Sequence, residues 1–207
     1  MTTQLNNWNE AEVKRAERLW GHKTPQYTID MFNFAIADSK SWLDLGCGFG
    51  RFLEYLLDHK EEPDYIGYDS SESMISRISE RFPTYAPRVF HRPITTLFNH
   101  TPDSILCSAV LIHITLQEQQ AVLKNLSTSK AKRITFDINS PSENYLTRSN
   151  LLTRHIKGSE GAFRMTWQSH YVMTKKVINL FPDYSITLSF YKLHSARHKV
   201  VYFLEKL

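Results

Sequence analysis

Residues 41–57 read SWLDLGCGFGRFLEYLL. Ser41 to Leu45 carries Trp and two Leu in the pattern of a short buried strand, and Phe52, Leu53, Leu56 and Leu57 recur at helical spacing. Between them fall Gly46, Gly48 and Gly50, three of the chain's seven glycines. A strand-to-helix turn built from glycine lets the backbone approach a ligand closely. Asp44, two residues before the first glycine, aims a carboxylate into the same turn, where it would repel a pyrophosphate and suit an ammonium group. Arg51 stands where a dinucleotide-binding fingerprint needs its third glycine. The turn therefore points away from a nicotinamide cofactor.

Residues 64–82, DYIGYDSSESMISRISERF, repeat the strand-to-helix pattern. Asp64 to Tyr68 is a second strand ending in Asp69, and Met74, Ile75, Ile78 and Phe82 form the apolar face of the helix that follows. An acidic residue about 20 positions beyond a glycine turn, at the end of the next strand, is placed to accept both hydroxyls of a ribose. In Asp44-Leu-Gly-Cys-Gly-Phe-Gly50 and Gly67-Tyr-Asp-Ser-Ser-Glu-Ser-Met-Ile75 the chain resembles the class I S-adenosylmethionine-dependent methyltransferases, in particular their small bacterial single-domain members. The resemblance covers about residues 41–139. It implies that Asp44 with Gly46, Cys47, Gly48 and Gly50 holds the methionine end of S-adenosyl-L-methionine, that Asp69 with Ser70 holds the ribose, and that Met74 lies against the adenine. It also implies cofactor contacts at Ile94 and Val110. Many relatives place an acidic residue after the third strand to receive the adenine amino group; the stretch from His91 to Leu97 has none, so backbone groups near Pro93 and Ile94 must substitute.

The remaining pattern predicts an α/β fold, a doubly wound, Rossmann-like, mostly parallel seven-stranded sheet. Further strands are expected at Arg88 to His91, Ser104 to Val110 and Arg133 to Ile138, as short apolar runs alternating with helices. Thr115 to Glu118 is a capping box opening a helix. Tyr184 to Leu193 and Lys199 to Leu207, separated by a short polar loop, predict a C-terminal antiparallel hairpin. One domain is expected over residues 1–207: an N-terminal helical lid (1–40), a donor-binding core (41–138), a substrate-cap insertion (139–173), and a C-terminal helix and hairpin (174–207).

Composition is that of a folded globular chain, 42% hydrophobic and 22% charged. No run is apolar enough for a membrane span or a signal peptide, so a cytoplasmic location is expected. Cys47 and Cys107 read as reduced packed residues rather than a disulfide pair. Residues 151–207 hold nine Lys/Arg against three Asp/Glu, but the charges are dispersed, which favours a solvated basic face over a nucleic-acid tract. No Asn/Asp-Pro-Pro-aromatic tetrapeptide follows the fourth strand, and neither cysteine has the setting of a nucleophile, so methylation of nucleic-acid bases is disfavoured. His194 and His198 lie in a loop without a third ligand, and no metal site is expected.

His113 follows the apolar run SILCSAVLI, where the fourth strand should emerge on the ligand side of the sheet. It is the candidate catalytic residue, either orienting the acceptor or taking its proton. Residues 1–40 (Trp8, Trp20, Tyr27) and 139–173 (Tyr145, Phe163, Trp167, His170, Tyr171) carry the aromatics of a cover over the sheet end. Tyr27, His113, Trp167 and Tyr171 are the candidate acceptor-binding residues. The expected function is methyl transfer to an oxygen or nitrogen of a small molecule by a monomer or homodimer. The alternatives are an RNA or protein methyltransferase, or a binding protein for the donor without activity.

Overall fold

The computed structural model describes residues 8–20, 24–98, 101–141, 153–157, 164–194 and 197–207. The strands predicted around the glycine turn form as β1 (Ser41–Leu45) and β2 (Asp64–Asp69), joined by helix α3 (Arg51–Leu57). They pair in parallel from Ser41 with Asp64 to Leu45 with Tyr68. β3 (Val89–His91), β4 (Ser104–Cys107) and β5 (Arg133–Pro141) extend the sheet. The antiparallel hairpin β8 (Tyr184–His194) and β9 (Arg197–Lys206) closes it against β5, so the central order is β3-β2-β1-β4-β5-β9-β8. This is the predicted doubly wound architecture, seven strands in a mostly parallel sheet.

Alternating side chains feed two cores. On one face α2 (Gln26–Ile36) and α3 bury Met31, Phe32, Ala35, Phe52, Leu53 and Leu56 against Trp42, Tyr65 and Val201. On the other, α5 (Leu116–Thr128) and α6 (His170–Leu180) bury Val122, Leu123, Leu126, Met173 and Val177 against Leu43, Phe136 and Tyr202. The capping box at Thr115 and Glu118 is complete, both reciprocal hydrogen bonds being made.

Three expectations are corrected. The segment 139–173 is not outside the sheet: β5 runs on to Pro141, paired with β9 along its whole length, and β6 (Thr153–Lys157) with β7 (Arg164–Gln168) adds an antiparallel ribbon that joins β5 through Asn139 and Trp167. Five-residue strands of mixed polarity carry too weak a period-two signal to be seen in sequence. The fourth strand stops at Cys107 rather than Val110, because Ala109 turns to φ +58° and donates its amide to the Asp137 carboxylate, after which Leu111–His113 forms a 3-10 turn. Of the N-terminal helices, α2 is a layer of the core, not part of a lid, and α1 (Glu10–Trp20) is set against helix α4 (Glu72–Arg81) through the ion pair of Glu17 with Arg77.

Candidate functional site

The glycine turn lies at the carboxyl end of β1. Gly46, Gly48 and Gly50 all take positive φ, +83°, +54° and +89°, a region that side chains resist. The three have different reasons to lack a Cβ. One at Gly46 would sit 2.2 Å from Val110 Cγ2, and one at Gly50 2.8 Å from Ile78 Cγ1, so both glycines serve packing. At Gly48 a Cβ would meet only Met74 Sδ at 3.9 Å, which leaves this position open toward a ligand.

The amides of Gly46, Cys47, Gly48 and Gly50 are all hydrogen-bonded within the protein. Gly46 and Cys47 both donate to the Tyr68 carbonyl, at 2.7 and 3.0 Å, Gly48 donates to Asp69 Oδ2 at 2.9 Å, and Gly50 donates to the Cys47 carbonyl. The first three fasten the turn to β2, and the fourth closes the turn on itself. What the turn presents is carboxylate. Asp44 is 4% exposed and accepts one hydrogen bond, from the Tyr65 hydroxyl at 3.1 Å. Burial pushes its pKa up to about 7, against the pull of that hydroxyl. Asp69 Oδ1 accepts from the Ser71 amide at 2.8 Å and Oδ2 from Gly48, with the Ser70 amide also drawn to the buried carboxylate; acceptor capacity remains for a further donor.

Around this pair the other predicted cofactor residues are placed unevenly. Met74 is buried beside Phe49 under Val13 and Ala16 of α1. Ser70 follows β2 directly, and its carbonyl lies 3.1 Å from His91 Nε2. Val110 packs onto Gly46, and Ile94 belongs to the core near Tyr68 and Ile114. Cys47 turns its thiol into the core, where burial raises its pKa well above the usual range, so only its backbone belongs to the turn.

His113 sits on the 3-10 turn beyond β4, and its ring meets the Trp8 ring edge-on at 5.5 Å. Burial and the Lys199 ammonium push its pKa down to about 4, with Asp137 opposing, so the imidazole is neutral at physiological pH. Trp8 also accepts, through its carbonyl, a 2.8 Å hydrogen bond from the Ser71 hydroxyl. Trp8 therefore links Ser71, two residues beyond Asp69, to His113. Tyr27 lies on α2 with its ring 5.2 Å from the Lys199 ammonium and 6.0 Å from Tyr191. Tyr171 is 56% exposed at the start of α6, its ring 4.0 Å from His170. β7, which carries Trp167, runs beside the Leu111–His113 turn; the Trp167 side chain, like Tyr145 and Phe163, lies outside the described residues.

Sequence reasoning missed the charges beneath the site. Asp137 of β5 and Lys199 of β9 form an ion pair at 0% and 3% side-chain exposure. Asp137 also anchors Ala109, and so sets where β4 ends. The available signal was register: in the hairpin Lys199 shares a face with Val201 and Phe203, an inward position for a cation. Ser108 was missed too; its hydroxyl, just past β4, is buried without a hydrogen-bond partner.

These features fit S-adenosylmethionine: a buried carboxylate for an ammonium, a second carboxylate with spare lone pairs for ribose hydroxyls, an open glycine, and an orphaned hydroxyl at the end of β4. A family model described as a methyltransferase domain matches residues 43–131. No curated protein matches the chain. Among solved structures, the 1,6-didemethyltoxoflavin-N1-methyltransferase of Burkholderia thailandensis, with bound 1,6-didemethyltoxoflavin and S-adenosylhomocysteine, superposes with a TM-score of 0.69 at 13% identity, over 95% of this chain and 84% of that one. The magnesium protoporphyrin IX methyltransferase of Synechocystis with bound S-adenosylhomocysteine gives 0.65 at 17% identity, over 96% and 95%. At such identities the likeness is one of fold, and the matched segment contains both carboxylates and the glycine turn. The chain carries a class I S-adenosylmethionine-dependent methyltransferase domain.

Proposed function

We propose that this methyltransferase acts on an oxygen or nitrogen of a small molecule, with the donor held by Asp44, the Gly46–Gly50 turn and Asp69, and the acceptor held near His113 and Tyr27. The observation that carries the reading is the bridge made by Trp8, whose carbonyl binds Ser71 and whose ring packs on His113. A chain crossing the sheet end in this way suits a small acceptor better than an open nucleic-acid groove. Lys199, one of the basic residues of the last quarter, is consumed by Asp137 and adds nothing to a surface field.

Bound here, S-adenosylmethionine supplies an electrophilic methyl group whose departure leaves a neutral thioether, so no acid or metal is required. The protein's contribution is alignment, on the order of 7–11 kcal/mol for well-oriented partners. His113, neutral at pH 7, has a ring nitrogen able to accept a proton or hydrogen bond from an acceptor hydroxyl or amine. Its low basicity makes it a better orienter than a general base.

The test is turnover with methyl-labelled donor, offered separately a metabolite extract, total RNA and unfolded protein. Label transfer to a compound of low mass supports the reading. Transfer to RNA or protein alone overturns it, and binding of donor without transfer to any fraction would leave a binding protein.

A further inference from the structure

Helix α5 buries Gln119, Val122, Leu123 and Leu126, which recur at the spacing of one helical stripe. Val122, Leu123 and Leu126 fill the core. The first position is instead a glutamine at 3% exposure, and its side chain reaches out of the helix. Nε2 donates at 2.7 Å to the carbonyl of Leu111, eight residues back, in the Leu111–His113 turn. Its Oε1 is buried with no hydrogen-bond partner among the described residues. An unpaired buried oxygen is costly, so packing alone would favour an apolar side chain here. What the glutamine supplies, and a leucine cannot, is a donor for that one carbonyl.

The neighbouring Glu118 grips the same loop from its other end. Its Oε2 accepts from the amide and from the hydroxyl of Thr115, both at 2.8 Å. His113 thus stands midway between two fastened residues, Leu111 before it and Thr115 after it. A continuing α-helix would satisfy the Leu111 carbonyl from the Thr115 amide, four residues on. Glu118 takes that amide, and Gln119 supplies a donor in its place. Glu118 closes a capping box and so has a duty to the helix, whereas the Gln119 side chain has none. A three-residue 3-10 turn holds itself weakly, here through the His113 amide donating to the Val110 carbonyl at 2.9 Å. Resting on the reading of His113 as an acceptor-side residue, we infer that Gln119 is a positioning residue: through the Leu111 carbonyl it fixes the turn that sets the His113 ring against Trp8.

The test reads proton contacts between the Trp8 and His113 rings by nuclear magnetic resonance, in the ligand-free full chain, for wild type, Gln119→Met and Gln119→Glu. Wild type should show the contact, and Gln119→Met, which keeps the volume but has no donor, should lose it. Gln119→Glu should keep it at pH 5, where a buried carboxyl is protonated and can donate, and lose it once the carboxyl carbon shift shows ionisation. Gln119→Met should also slow label transfer to the low-mass fraction of a metabolite extract about tenfold or more, while S-adenosylhomocysteine affinity stays within about twofold. A folded Gln119→Met with the ring contact intact overturns the inference and makes Gln119 a packing residue, whatever its melting temperature. So does a contact in Gln119→Glu that survives ionisation, a comparison that stands by itself if Gln119→Met does not fold. Label transfer by His113→Ala at the wild-type rate removes the reading of His113, a separate outcome, because the ring contacts still decide whether Gln119 holds the turn.

Discussion

The amide of Gly48 donates to the carboxylate of Asp69 at 2.9 Å, across 21 residues of sequence. The open glycine of the turn and the acid that ends β2 are thus one unit, and the Tyr68 carbonyl, accepting from Gly46 and Cys47, ties the same turn to β2 a second time. Damage to either half should be felt at both.

Gly48→Val and Asp69→Ala are each expected to weaken S-adenosylhomocysteine at least tenfold, the first by filling ligand space and straining φ, the second by removing charge-assisted hydrogen bonds of about 1.5–3 kcal/mol each. Asp69→Ala should also loosen the turn, since Gly48 and Ser71 lose their acceptor. Calorimetry reads the affinity and circular dichroism confirms folding. Wild-type affinity in both folded variants would remove this site from consideration.

Asp44, as the proposed receptor of the donor's ammonium, should make donor binding pH-dependent. Its free pKa of about 7 is set by burial, and an ammonium partner lowers it in the complex, so binding expels a proton below that pH. Affinity for S-adenosylhomocysteine should be flat above about pH 7 and fall as pH drops, by up to about tenfold per unit. In the ligand-free protein the sign is opposite to that of a salt-bridged acid. The folded pKa exceeds the unfolded one, so ionisation costs stability, and the whole cost is present above about pH 7. Asp44→Asn should therefore bind poorly, lose the pH dependence, and melt higher than wild type at pH 8 but not at pH 4.

Breaking the buried pair should be costly in a specific way. Lys199→Met leaves Asp137 charged and sealed, a loss of about 3–5 kcal/mol by comparison with other buried pairs. Removing both charges in Lys199→Met with Asp137→Leu should restore part of it, although Ala109 then loses the acceptor that holds its positive φ. Urea unfolding of the single and double variants measures the coupling; additive losses would show that the two groups act independently.

His113→Ala should lower turnover while S-adenosylhomocysteine affinity stays within a few-fold, because the proposed donor site is built from β1 and β2. The imidazole should titrate near pH 4 by nuclear magnetic resonance rather than at about 6.5. An acidic limb of the pH–rate profile that belongs to His113 must then lie near pH 4 and vanish in the variant. Loss of donor binding as severe as in Asp69→Ala would place His113 on the wrong side of the methyl group.

Local signals carried the sequence far. Glycines in a strand-to-helix turn, a carboxylate before the turn, a second carboxylate at the end of the next strand and a capping box are each written within a few neighbouring residues, and they were enough for the fold class and the donor. The sites those signals could not reach are made of residues remote in the chain. Asp137 and Lys199 lie 62 positions apart and meet because β9 pairs antiparallel with β5 in one register of several that the sequence allows. Trp8 touches Ser71, 63 residues away, only after α1 has packed on α4. The ribbon β6–β7 exists because β5 runs past its parallel neighbours and offers Asn139 as a pairing edge. Arg51 was visible as a broken motif, but that it makes no ion pair among the described residues became visible only in the tertiary structure. Local chemistry determined which groups this protein would use, and long-range strand register decided which of them would face each other across the site, because pairing across a sheet is fixed by the whole fold and not by any stretch of residues within it.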